Sequence, residues 1–437
     1  MTSTTAIPSD RAAGQIANFQ PTLELTATGK FVVWFSMISI VFLTQIAYNI
    51  GEFPVSFDLI SYGVITAYLV MTGYSAPSYP SMFLLVCAIA LALFRIPFAS
   101  SSTSWSSLLL LCVLYIPFSF RLAKRPHLQP VADYIVKVTV AAASVIALVG
   151  VMQIVLVNAA RLSSLTNIYF VLPEAIRGAG AYTHFREGGG IVKANGFFLR
   201  ESADLSFVAA VGILLEYGSR KRLRILVLLA AGLLASFSGT GLMILAAGLL
   251  LPRSASRIPA FVAVSAGLLL VLFALYSLDN PFLNLWFGRL SEFGTPNTSA
   301  HARFQAPLDM LERSFDKGIL TTWLGNGAGS LPRDVGVARL RYEVADPTWA
   351  KLIYEYGIIG FVLFLAILVL RLYSSSTPVE VCNLFLFGWI STSFLLKPGY
   401  VLMLWLLTLV PSVHQQTAKK ITELGAAPDQ TNRRSLA

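Results

Sequence analysis

Apolar residues in this chain fall in long unbroken blocks, not in the alternating or one-sided stripes of a soluble fold. The blocks span 31–50, 57–73, 79–98, 104–121, 131–157, 203–218, 225–236, 241–252, 258–277, 349–372, 379–396 and 398–413. Most come close to the roughly 20 residues that carry a helix across about 30 Å of hydrocarbon. None shows the roughly ten-residue alternating strands of a membrane barrel. The pattern predicts an all-α integral membrane protein with about 12 transmembrane helices and two long extracytoplasmic loops, the second partly helical.

The stretch 225–252 is long for one helix and short for two full crossings, and Ser236-Phe237-Ser238-Gly239-Thr240-Gly241 interrupts its middle. Two half-crossings meeting at a polar turn fit it, a shape that hydrocarbon tolerates where protein or a water-filled cavity covers the turn. An even number of crossings puts both chain ends on one side. Arg121, Lys124, Arg125, the run Arg220-Lys221-Arg222-Leu223-Arg224, Arg253, Arg257, Arg371, Lys419, Lys420, Arg433 and Arg434 all fall on that side, which makes it the cytoplasm. The expected layout is a cytoplasmic tail at 1–30, five helices over 31–157, an outward loop at 158–202, four helices over 203–277, a second outward loop at 278–348, three helices over 349–413 and a cytoplasmic tail at 414–437. The first block follows a mostly polar segment and has no small-residue cleavage site behind it, so it reads as an uncleaved signal anchor.

Composition agrees: 56% of residues are hydrophobic and only 12% are charged, which excludes a multidomain soluble protein. A formal net charge of +10 would point to nucleic acid, but the basic residues sit at alternate block ends as membrane orientation demands. Cys87, Cys112 and Cys382 lie inside apolar blocks without ligand spacing and read as packing residues. The few charges within the blocks are chiefly Arg95 and Lys137.

The outward loops hold the candidate chemistry, since loops this long inside a compact bundle are usually functional. In the first, Lys193 and Arg200 stand at the membrane surface on the side where positive charge is normally depleted. They read as snorkelling anchors or as a cationic clamp for an anion, with Gly188, Gly189 and Gly190 allowing close backbone approach. In the second, the aromatic stretch 282–287 suits the bilayer interface. A helix is expected near 302–317, with Phe304, Leu308, Leu311 and Phe315 as its apolar stripe. Arg303 would lie in its first turn, against the helix dipole, which marks it for a ligand or for a salt bridge.

Gly325-Asn326-Gly327-Ala328-Gly329 reads as a flexible turn or as a phosphate loop without the usual Gly-Lys-Ser/Thr ending. Arg333, Arg339 and Arg341 add positive charge before Asp346-Pro347, which is both a standard helix start, with the carboxylate as N-cap, and a place for a general base. Metal-binding Asp-x-Asp, His clusters, Cys-x-x-Cys, Gly-x-Ser-x-Gly and dinucleotide fingerprints do not occur in the sequence. A reaction without metal or cofactor on an anionic, membrane-borne substrate is the chemistry expected.

The run Gly196-Phe197-Phe198-Leu199-Arg200-Glu201-Ser202, the broken hairpin near Ser238, Arg303, the Gly325–Gly329 turn and Glu355-Tyr356-Gly357-Ile358-Ile359-Gly360 together resemble, in this order, the bacterial O-antigen ligase and polymerase family. The resemblance covers roughly 190–365 and the helix count of the whole chain. It implies an inverting glycosyltransferase on the outer face of the inner membrane, acting on undecaprenyl-diphosphate-linked glycan donor and acceptor. Arg200 and Arg303 match the family's essential arginines, and Lys193 stands near a position that is often arginine. Where ligases usually carry His followed by Asn, this chain has Asp346-Pro347, so a polymerase of exopolysaccharide, capsule or O-antigen is expected ahead of a ligase.

Asp346 is the first choice of base and Glu201 the second, with His184, His301, Glu52 and Asp58 behind them; His301 is also a candidate substrate contact. Besides membrane lipid, a chain-length regulator and a flippase are the partners implied, and nucleic acid is not among them. A flippase or transporter of the same lipid-linked unit is the alternative from another class, although such proteins place their charges near the bilayer midplane.

Overall fold

The computed structural model describes residues 26–50, 53–99, 103–123, 128–178, 192–252, 256, 258–277, 294–296, 298–338 and 343–412. A helix stands at every apolar block: α1 (Ala27–Phe42), α2 (Phe57–Met71), α3 (Tyr79–Arg95), α4 (Trp105–Tyr115), α5 (Gln129–Ile154), α6 (Ser202–Gly218), α7 (Leu223–Ala235), α8 (Gly239–Leu250) and α9 (Ile258–Tyr276). The second outward segment holds α10 (Ser299–Phe304), α11 (Ala306–Phe315), α12 (Ile319–Leu324) and α13 (Ser330–Ala338), and α14 (Thr348–Tyr373), α15 (Val379–Ser391) and α16 (Pro398–Leu407) follow.

Four of these helical stretches, Tyr79–Phe98, Gln129–Ala159, Ile258–Tyr276 and Thr348–Tyr373, are long and apolar enough to cross a membrane. None of the α9 window is buried within the protein, and Phe273 on it is 70% exposed. Apolar surface left bare in this way is stable in a hydrocarbon solvent and not in water. The chain is thus a mostly helical membrane protein.

The fold is not purely helical. Block 31–50 stops being helix at Phe42, and β1 (Ala47–Ile50) pairs antiparallel with β2 (Phe53–Ser56). The chain leaves the helix where Gln45 is committed elsewhere, its Nε2 donating to the carbonyls of Phe198 and Leu199 at 2.9 and 2.8 Å. A second small ladder joins β3 (Ser75–Pro77) to β4 (Phe120–Leu122).

Contacts between turns sort into two ends of the helical body. At one end β3 and β4 pair, Leu122 N–H bonds the Leu409 carbonyl, Arg121 bonds the Leu370 carbonyl and Ser374, and Arg222 grips buried Glu216 with both Nε and Nη2. At the other end Ile46 bridges Arg177, Arg200 reaches the Thr44 carbonyl, and Thr348 N–H bonds the Thr392 carbonyl. The described basic turns, at Arg121 and Arg222, and the candidate site therefore occupy opposite ends.

Small residues let the central helices touch. A Cβ on Gly232 of α7 would come within 2.5 Å of Ala147 on α5, and one on Gly241 of α8 within 2.5 Å of Ser206 on α6. Close backbone approach replaces the hydrophobic drive that is missing between helices in lipid. The two half-length helices α7 and α8 are thus wedged between α5, α6 and α15, with their turn at Ser236–Ser238 toward the site end.

Helix α14 is broken at Gly357, whose φ is 71°. The break frees the carbonyls of Tyr354 and Glu355, which accept from Asn326 N at 2.8 Å and Gly327 N at 2.9 Å. Gly325 and Gly327 have φ of 78° and 101°, conformations that glycine alone adopts without strain. A Cβ on Gly325 would strike the Glu355 carbonyl at 2.4 Å, and one on Gly357 the Trp323 carbonyl at 2.2 Å. The glycine turn is therefore not a loose connection: the N–H groups of Asn326 and Gly327 are spent on α14 and that of Gly325 on the Thr321 carbonyl of α12. Arg95, at the end of α3, pins the same turn from the other side through the Gly325 carbonyl at 2.7 Å.

The outward helices pack on this clamp. Met310 and Leu311 of α11, Leu331 of α13 and Tyr354 of α14 form a second small core. The single helix expected over 302–317 is two, split at Gln305 ahead of Pro307, and its buried face is Ala306, Pro307, Met310, Leu311 and Ser314. Leu308 and Phe315 of the expected stripe are exposed, because the break rotates α11 away from the phase set by Phe304. Phe282–Phe287, Glu52, His184, Arg339, Arg341, residues 1–25 of the first tail and the whole of the second lie outside the described residues, and the helix α1 already begins within the expected first tail, at Ala27.

Gly357→Ala and Gly325→Ala each force a side chain into backbone and should lower stability by roughly 3 kcal/mol or more. Gly336→Ala, with nothing within 4 Å of its Cβ position, should be neutral. Thermal unfolding of the detergent-solubilised protein separates the three, and equal midpoints would refute the clamp.

Candidate functional site

The first site arginine is set by a tight turn. Gly196 and Phe197 have φ of 71° and 64°, and a Cβ on Gly196 would meet Ile146 at 2.7 Å. Gln153 of α5 accepts from the N–H groups of Asn195 and Gly196 at 3.0 and 2.9 Å, and Asn195 Nδ2 donates to the Leu199 carbonyl at 2.9 Å. This network aims Arg200 across to the turn after α1, where its Nη2 donates to the Thr44 carbonyl at 3.1 Å. Its Nε is buried with no hydrogen-bond partner among the described residues.

Glu201 and Asp204 begin α6 as a reciprocal capping box. The Glu201 side chain accepts from the third-position N–H, and Asp204 Oδ2 accepts from Glu201 N at 3.1 Å. Glu201 is therefore first a helix cap, which competes with its expected role as a base. Asp204 is held further by the hydroxyl of Tyr400 on α16.

Arg303 lies in the last turn of α10, not in a first turn, because the helix ends at Phe304. That is the favourable end for a cation, so the expected conflict with the dipole does not exist. Its Nη1 donates to Thr240 Oγ1 at the start of α8, at 3.0 Å. One backbone bond, Ala345 N to the Ala302 carbonyl at 2.9 Å, then brings Asp346 beside it.

Asp346 does not cap α14. The cap position is Pro347, without a side-chain bond, and Asp346 Oδ2 instead accepts from Lys351 Nζ at 3.2 Å. Lys351 also meets Glu355 Oε1 at 3.3 Å. The side chains of Asp346, Lys351 and Glu355 are 50%, 5% and 0% exposed, so this ionic chain runs from the open site into the interior. Oδ1 of Asp346 has no partner among the described residues.

These residues surround a chamber of about 250 Å³ lined by Glu201, Asp204, Arg303, Asp346, Lys397 and Tyr400 among others. A smaller chamber adjoins it, holding Arg200 and buried Asp58, with Ile40, Leu199, Val208 and Met403 as apolar walls. Asp204, Lys397 and Tyr400 line both. Neither Arg200 nor Arg303 forms an ion pair among the described residues, and each donates to a neutral oxygen. The acids, by contrast, are partnered by capping, by Tyr400 or by Lys351. The cavity thus offers two guanidinium groups to an anion and one open carboxylate oxygen to a proton.

Of the other expected contacts, Lys193, Arg333 and His301 line neither chamber. Arg333 turns back to the Ala328 carbonyl at 3.3 Å. Sequence reasoning missed Asp204, Lys351, Lys397 and Tyr400. Lys397 had a signal: a lone cation before Pro398, between two apolar blocks at the outward side.

Lys351→Met would leave the Glu355 charge buried without its counter-ion and should cost about 3–5 kcal/mol of stability. The double variant Lys351→Met/Glu355→Leu should recover most of that loss. Unfolding midpoints that fall additively in the two single variants and the pair would rule out this coupling.

No protein-family model and no curated protein matches this chain.

Proposed function

We propose that the protein is a polysaccharide polymerase that joins undecaprenyl-diphosphate-linked oligosaccharide units by inverting glycosyl transfer. In this reading it spans the bacterial inner membrane about twelve times with both termini cytoplasmic, and the cavity opens to the periplasm. The observation that carries it is the pair Arg200 and Arg303, which form no ion pair among the described residues and donate to neutral oxygens at adjoining chambers, with Asp346 beside Arg303.

The chemistry follows from the charges. A sugar diphosphate leaves well once its developing negative charge is neutralised, and guanidinium groups match phosphate oxygens with two parallel hydrogen bonds. The acceptor hydroxyl attacks the anomeric carbon from the face opposite the diphosphate. Its proton passes to Asp346 Oδ1, the new glycosidic C–O bond forms, and the old C–O bond breaks with both electrons leaving on the diphosphate. One carboxylate suffices for a single inverting displacement. Lys351 holds the other oxygen of Asp346 and fixes the carboxylate's orientation.

A gene deletion should leave single-unit lipid-linked intermediates and no long polymer. In reconstituted protein, Arg200→Met and Arg303→Met should abolish chain growth, and Asp346→Asn should slow it by about 10²–10⁴-fold. Polymer of normal length in the deletion strain would sink the proposal. Free lipid-linked polymer, with glycan missing from lipid A or protein, would mean a ligase instead.

A further inference from the structure

Lys397 is the only cation among the three residues common to both chambers. It occupies the cap position of α16, where a positive charge opposes the helix dipole, and its side chain does not cap the helix. Its neighbour Glu201 is 4.0 Å away, at the limit of an ion pair, and is already engaged in capping α6. The ammonium lies 5.7 Å from the centre of the Tyr400 ring, and Phe394 stacks on that ring at 3.9 Å. An aromatic pair therefore supports Lys397 at the junction, and Glu201 is its ion-pair partner among the described residues.

The two chambers differ in chemistry on either side of it. Arg200 stands in a chamber of about 30 Å³ with Thr44, Asp58 and Asp204 beside the apolar walls of Leu199, Val208 and Met403. Arg303 stands with Thr240, Ser393 and Asp346, groups suited to sugar hydroxyls. A lipid-linked diphosphate has the same asymmetry, with one phosphate esterified to a hydrocarbon chain and the other to a sugar.

We propose that Lys397 is a third phosphate-binding cation, which contacts the diphosphate where the two chambers meet and sets its direction, lipid toward Arg200 and sugar toward Arg303. The inference rests on the polymerase reading above. Lys397 keeps its proton throughout and forms no bond to substrate; it shares the charge that the leaving diphosphate gains.

The test is binding of farnesyl diphosphate and farnesyl monophosphate to the full-length protein in phosphatidylcholine nanodiscs. Wild type should prefer the diphosphate. Lys397→Met should weaken diphosphate binding by about tenfold or more and leave the weak monophosphate binding unchanged, while Lys397→Arg, which keeps the charge, should stay within about threefold of wild type. An unchanged melting temperature in Lys397→Arg keeps the comparison valid if Lys397→Met folds poorly. The inference is overturned, with the polymerase reading intact, if Lys397→Met binds the diphosphate like wild type while Arg303→Met does not. It is equally overturned if Lys397→Arg loses as much as Lys397→Met, since shape and not charge would then matter. Wild type that does not distinguish the two lipids, or Arg303→Met that binds like wild type, would remove the polymerase reading itself.

Discussion

The break in α14 at Gly357 is the constraint on which the site depends. A helix interrupted within an apolar body leaves carbonyls that lipid cannot satisfy, at a cost of several kcal/mol each if they stay bare. Here the carbonyls of Tyr354 and Glu355 are met by the N–H groups of Asn326 and Gly327. Asn326, itself fully buried, adds its Nδ2 to Tyr354 and to Ser314 Oγ at 3.1 and 2.6 Å. The second outward segment is thereby stitched to a crossing helix by obligatory bonds and not by surface contact. Positions as far along the chain as Arg303 and Asp346 inherit their placement from it through the Met310–Leu331–Tyr354 core and the Ala302–Ala345 bond.

The other half of the site hangs from independent supports. Arg200 is fixed by the network of Gln153 on α5, Asn195 in the preceding turn and Gln45 in the turn after α1, and Lys397 by α16. Thr348 joins the halves: its N–H and hydroxyl both donate to the Thr392 carbonyl, and its Oγ1 accepts from Leu395 N at 3.1 Å. The cavity is thus a meeting of helix starts, α6, α8, α14 and α16, each anchored separately. Orientation of reacting groups is most dependable when it comes from such rigid elements, and it needs no ordering when substrate arrives.

How much of this the sequence discloses depends on the range of the interaction. The apolar blocks became helices because hydrocarbon length is a local property, and the Ser236–Ser238 interruption separated α7 from α8 for the same reason. Arg200, Arg303 and Asp346 came to one end because charge alternation along the chain fixes which turns can be neighbours. Local rules misled where tertiary bonds outbid them. Asp346-Pro347 carries the composition of a helix cap, yet Lys351 takes the carboxylate. Arg303 fits the start of a long helix, yet Pro307 begins a new one. The three glycines at 325, 327 and 329 looked mobile because glycine composition does not distinguish freedom from close approach. Their partner, Gly357, lies inside what reads as an unbroken apolar block, and only the fold reveals that the two glycine sites are halves of one contact.

Location of charge favours the proposed catalytic reading over a transport one. A transporter must carry its ligand across the body, which calls for polar groups at mid-depth and for interfaces free to rock. Among the described residues the buried cation Arg95 serves the glycine turn, buried Arg371 donates to the Thr408 carbonyl and lies over the Phe118 ring, and the pair Lys351–Glu355 is closed on itself apart from its link to Asp346. The central interfaces at Gly232 and Gly241 are too close to slide without collision. The two guanidinium groups of Arg200 and Arg303 and the open Asp346 oxygen lie at the two adjoining chambers at one end. That arrangement suits a substrate that arrives along the membrane, reacts at its surface and departs on the same side.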